Sequence, residues 1–280
     1  MTRKVRNRVA FSAAVVALGL LAASHLEAQF RRGFNRSFSN ARFARPEDYD
    51  GTFQFCRVVF NNGPDGDPNS GNWEVDYPRA DINLSVRLAE LTKTRIGHNS
   101  LGDPTNVVIR LTSPEMFNCP FIMMTEVGAA DLSGREVASL REYLLKGGFL
   151  WADDFWGTEA WEWWAEVINQ VLPPGDYPII ELTPDHPMYR AQFVVKDTPQ
   201  ISNIAHWRTY RDGMERGTDS PRADPRAILD RHGNIMVLMT HNTDFGDSFE
   251  REGDDPNYFL QNSVPGYAFG INALLYAMTH

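Results

Sequence analysis

At 280 residues the chain is long enough for one large domain or two small ones, with a sizeable core. Its 42% hydrophobic and 12% aromatic content excludes global disorder. A formal charge of −9 excludes a general nucleic-acid binder, which needs a basic face.

The first segment does not belong to the fold. Arg3, Lys4, Arg6 and Arg8 precede a weakly polar run from Val9 to Ser24, and small residues offer cleavage after Ala28 or earlier, around Ser24. That order is a secretory signal peptide, 1–28, and the run is short for a stable membrane span. Cleavage is therefore favoured over a retained anchor, no other stretch suits a bilayer, and the protein is expected in the periplasm or outside the cell. Without those residues 23 basic and 35 acidic side chains remain, a formal −12, which suits cationic partners or metal ions without naming either. Residues 29–50, with Arg31, Arg32, Arg36, Arg42 and Arg45, read as a flexible basic leader, and 51–280 as a single α/β domain.

Strand and helix alternate from Thr52. Phe53–Phe60 is β-rich, a Gly/Asn/Asp/Pro loop runs through Asn72, and Ala80–Thr92 is helical with Ile82, Val86, Leu88 and Leu91 near one face. Asn106–Leu111 and Pro120–Thr125 are strands. Ser133 to Glu136 has capping-box spacing and opens a helix carrying Val137, Leu140 and Leu144, which Gly147-Gly148 ends. Phe149–Ala152 is a buried strand, and Thr158 is placed to cap a helix presenting Trp161, Trp164, Ile168 and Val171. After a strand at Ile179–Leu182, residues 197–226 look like a surface excursion, Ile235–Thr240 is a strand and Gly266–Met278 a final helix. This alternation implies βαβ units and a mostly parallel sheet, with any site in the loops beyond the strands' carboxyl ends.

That rule selects Glu126, the Asp153-Asp154 pair, Asp185-His186, and the run His241, Asn242, Asp244 and Asp247. Adjacent residues on a strand end point oppositely, so one of Asp153 and Asp154 should face the cleft. Asp154, His186 and Asp244 are the catalytic candidates; Glu126, Asp153, Asp154, His186 and Asn242 are the ligand-binding candidates. The plainer reading has the Asp pair capping the Thr158 helix, and His186 and the 241–244 run serving as turn residues. Asp65, Asp67, Asn69 and Asp76 have calcium-loop spacing, but Ser70 stands where that loop needs Gly. Cys56 and Cys119 fit a bridge in an oxidising compartment and fit two buried thiols equally well. The cluster Trp151, Trp156, Trp161, Trp163 and Trp164 is mostly accounted for by core packing, although an exposed Trp beside a cleft would suit a ring-bearing ligand. Walker, G-x-G-x-x-G, G-x-S-x-G and H-E-x-x-H motifs are absent from the sequence, which removes the corresponding enzyme classes.

Asp76-Tyr77-Pro78 through Asp81-Ile82-Asn83-Leu84, Leu91-Thr92, Pro120-Phe121-Ile122, Leu140 to Leu144, Gly147-Gly148-Phe149-Leu150, Asp153-Asp154 and Asp185-His186-Pro187 together resemble domain of unknown function 4159, from about residue 52 onward. The resemblance implies a flavodoxin-like, class I glutamine-amidotransferase-like three-layer sandwich with a mostly parallel sheet. The amidotransferase elbow would then fall at Ala152 to Phe155, which holds neither Cys nor Ser, so no thioester chemistry is available there. Two functions remain. The favoured one is an exported, non-catalytic domain binding a small molecule or a protein partner. The alternative is a carboxylate- or metal-dependent hydrolase. No organic cofactor is expected, and a divalent metal is compatible with the acids.

Overall fold

The computed structural model describes residues 41–280; the expected signal peptide, 1–28, and residues 29–40 of the expected leader lie outside them. The last part of that leader is not free of the domain. Phe43 forms a parallel bridge with Val108, Arg110 lies over the Phe43 ring, and Arg42 pairs with Asp48.

Five strands run parallel: β1 (Phe55–Val59), β3 (Asn106–Arg110), β4 (Ile122–Thr125), β6 (Leu150–Phe155) and β9 (Ile235–His241). With β8 (Asp224–Leu229) and β7 (Ile179–Glu181), which are joined antiparallel, they make one sheet in the order β3-β1-β4-β6-β9-β8-β7. A small antiparallel pair, β2 (Asn61–Asn62) and β5 (Ala130–Asp131), stands apart. β4, β6 and β9 are buried along their whole length, as strands covered on both faces must be, hence their unbroken apolar runs.

Side-chain alternation along β6 divides the core. Trp151 joins Phe245 and Phe269 at centroid distances of 5.3 and 5.9 Å, in a cluster that also holds Leu84 and Leu88 of α1 (Arg79–Leu91). Leu150 and Ala152 turn the other way. α2 (Gly134–Leu145) and α3 (Gly157–Val171) pack together, and α2 opens on the expected capping box, Ser133 with Glu136. α4 (Ile204–Tyr210), α5 (Phe245–Glu250), α6 (Pro256–Tyr258) and α7 (Val264–Ala277) follow. Cys56 and Cys119 are joined in a disulfide. Among the described residues no helix is long and apolar enough to cross a membrane.

Three local expectations change. The strand expected to stop at Ala152 continues to Phe155, with a register shift between Asp153 and Phe155. The surface excursion contains α4 and β8, whose Asp-Pro-Arg start hides an apolar second half. Thr158 does not cap α3. Instead Asp219 accepts from the Thr158 amide at 2.9 Å and from its hydroxyl at 2.6 Å, across a Gly157 whose φ of 77° and missing Cβ leave room for that carboxylate.

Candidate functional site

The carboxyl edge of the sheet concentrates unusual backbone. Among described residues other than glycine, five have positive φ, and Asp76 (63°), Glu126 (56°), Asp154 (55°) and Asn242 (60°) all stand at this edge. Each such conformation costs about 1–2 kcal/mol, so the surrounding packing enforces them.

Asp153 and Asp154 part company at the register shift. Asp153 is wholly buried; it accepts from Thr240 Oγ1 at 2.5 Å and from the amides of Phe245 and Gly246 at 3.0 and 3.2 Å. It ties β6 to the turn that starts α5 and does not line the cleft. Burial pushes its carboxyl up to about 7, against the pull of those donors. Asp154 turns into a cleft of 380 Å³, where Trp156 Nε1 donates to its Oδ1 at 2.8 Å. Asp244 reaches the same cleft from the end of β9 and caps α5, accepting from the Asp247 amide at 2.6 Å.

Asp76 comes from the loop before α1. The wholly buried Arg57 on β1 fixes that loop: its guanidinium forms a bidentate pair with Asp81 and donates to the Trp73 and Val75 carbonyls at 3.5 and 3.4 Å. Asp76 is only 9% exposed, yet its Oδ2 has no hydrogen-bond partner. One oxygen each of Asp76, Asp154 and Asp244 lie within 4.8 Å of one another. Burial first, then the neighbouring carboxylates, hold all three well above the ordinary carboxylate range. Three buried carboxylates this close must share protons or a cation. An oxygen-only donor set of this size suits a hard divalent ion at about 2.0–2.6 Å from each ligand.

Glu126 closes one side. Ser70 Oγ donates to its Oε2 at 3.1 Å, and burial raises its carboxyl to about 7. Glu215 and Arg216, from the loop after α4, and Asp247 and Arg251 also line it.

The structure thus brings Glu126, Asp154, Asp244 and Asp247 together and leaves the other candidates outside. His186 caps the turn Pro187–Arg190 through Nδ1 and packs on Tyr276 at 5.2 Å. It follows β7, three strand spacings or about 14 Å from β6 across the sheet. Asp185 beside it is exposed. Asn242 accepts from the Gly157 amide at 2.8 Å and so holds the start of α3. His241 bonds the Gly157 carbonyl at 2.9 Å and packs on Phe155 and Trp161. The calcium-loop spacing is not used either: Asp67 accepts from the Asn69 amide at 2.9 Å in a local turn while Asp76 serves the cleft. Trp156 lines the cleft but is 5% exposed, so it offers no open stacking face. Asp76, Glu215 and Arg216 were missed as site residues. Asp76 carried two signals, its place in the calcium-loop spacing and Asp-Tyr-Pro immediately before a helix.

A family model, described as a domain of unknown function (DUF4159), matches residues 54–278. The chain belongs to that family. The DUF4159 match takes in every strand of the sheet and every residue lining the cleft, so the site lies wholly within the family's domain. None of the curated proteins matches the chain.

Proposed function

We propose that this DUF4159 domain is an exported, cation-dependent ligand-binding domain, holding a hard divalent ion between Asp76, Asp154 and Asp244. The observation that carries the reading is the buried, unpartnered Oδ2 of Asp76 beside two further buried carboxylates. An ionised oxygen so placed meets no hydrogen-bond donor from the protein, and a divalent ion would supply what is missing. The remaining volume of the cleft would receive the ligand. Export rests on the signal-like first segment and is supported by the Cys56–Cys119 bridge, since disulfides persist in oxidising compartments.

We read the scaffold as amidotransferase-like with its catalysis replaced. On that reading Asp154, at φ 55° near the carboxyl end of β6, stands for the residue an elbow would present as nucleophile. A carboxylate cannot form the thioester, and the chain's two cysteines are joined to each other. A second reading, the carboxylate- or metal-dependent hydrolase, is favoured by Glu126. It is buried in the same cleft, with its carboxyl near 7, where a general base works best.

Thermal unfolding against Mg²⁺, Ca²⁺ and Mn²⁺, with chelator as control, tests both. A saturable rise in Tm is expected, by about 2.7 kcal/mol of stability at a hundredfold excess over Kd. It should vanish in Asp154→Asn and survive in Glu126→Gln; an unchanged rise in Asp154→Asn, or no rise in wild type, overturns the proposal. Ester or phosphoester turnover by wild type, lost in Glu126→Gln while its cation-dependent rise in Tm persists, would select the hydrolase.

A further inference from the structure

We propose that the cleft is built for two divalent ions rather than one, with Asp76 as the bridging ligand; this rests on the cation site proposed above. One oxygen each of Asp76, Asp247 and Glu250 also lie within 4.8 Å of one another, so Asp76 belongs to both carboxylate sets. Its unpartnered Oδ2 is the oxygen turned towards α5. It lies so close over Gly246 that a Cβ there would collide with it. Asp247 and Glu250, three residues apart on α5, present to that same side.

Charge points the same way. Asp76, Glu126, Asp154, Glu215, Asp244 and Asp247 line the cleft with Glu250 beside them, against two lining cations, Arg216 and Arg251; the Arg251 Nε lies 2.8 Å from Glu250 and 3.3 Å from Asp247. Seven carboxyls less two cations leave an excess of five negative charges, more than one divalent ion cancels. Arg251 is 38% exposed and can swing into solvent when the second ion arrives, so that ion binds more weakly than the first. A carboxylate shared by both ions sets them about 3.5–4 Å apart, the spacing of two-metal sites. Asp247 keeps a fixed orientation because the Ile204 amide donates to its Oδ2.

Mn²⁺ titration of the full chain, followed by equilibrium dialysis and electron paramagnetic resonance, tests this. Two ions per chain are expected. The spectrum of an isolated Mn²⁺ should appear at the first equivalent and give way to an exchange-coupled signal at the second. Glu250→Gln should weaken the second ion by at least about tenfold, as loss of even an outer partner does, and keep the isolated-ion spectrum. Arg251→Gln should tighten it. A single ion that is lost in Asp154→Asn and untouched by Glu250→Gln overturns the second site while leaving the first. Two ions without coupling overturn the bridge, and no bound Mn²⁺ at all overturns both proposals.

Discussion

Asp153 and Asp154 are chemically identical neighbours with opposite uses, and what separates them is the register shift on β6. Every oxygen of Asp153 meets a donor, whereas Asp154 meets one indole and two other acids. Glu126 and Asp153 are both raised to about 7, mainly by burial, from ordinary values of 4.5 and 3.8. The unfolded chain therefore releases these protons near pH 4 while the native state keeps them, so between about pH 4 and 7 the native state binds more protons and stability falls as pH rises. Chelated protein should melt at a higher temperature at pH 5 than at pH 7.5, and saturating Mg²⁺ or Ca²⁺ should flatten that slope. A chelated protein whose Tm is level or climbs across the window would speak against buried, uncompensated carboxylates.

At the scale of elements, the site is assembled by parts that differ in how openly the sequence declares them. The central strands and α1, α2, α3 and α7 were legible to within a few residues, because a strand buried on both faces is an apolar run and an amphipathic helix has a 3.6-residue period. β8, α4 and α5 were not: each is short, and the polar start of β8 and the small or charged residues of α5 hide the apolar residues that bury them. The same divide holds for the site. Glu126, Asp154 and Asp244 could be assigned to one cleft from sequence because they lie at or just after the ends of strands in a parallel sheet. Asp76 and Glu250 were missed because no strand end marks them and only tertiary packing brings them in. His186 failed by the same rule applied one step too far, at an edge strand remote from the cleft. Asp76 depends on β1 through Arg57, which holds the Val75 carbonyl and the buried Asp81 at once. Arg57→Met should cost about 3–5 kcal/mol by denaturant unfolding, the penalty of stranding a buried partner charge. Adding Asp81→Leu should recover much of that stability without restoring cation affinity, since the loop anchor stays lost. Full recovery of both would show that Arg57 does not position Asp76.

Taken whole, the molecule places a cluster of acids where open parallel sheets bind ligands, and it does so in a chain whose net charge is already negative. Packing supplies the rigidity: α1, α5 and α7 share one cluster with the Trp151 face of the sheet, so the loops carrying Asp76 and Asp244 are held by the core itself. A scaffold that buries mutually repelling carboxylates at strained backbone positions loses stability for it, and the proposed cation would recover that loss. The measurement closest to this claim is anomalous diffraction from crystals of the protein grown or soaked with Mn²⁺. A strong peak bounded by the carboxylates of Asp76, Asp154 and Asp244 is expected. Peaks confined to the protein surface, or a cleft without one at saturating Mn²⁺, would contradict it.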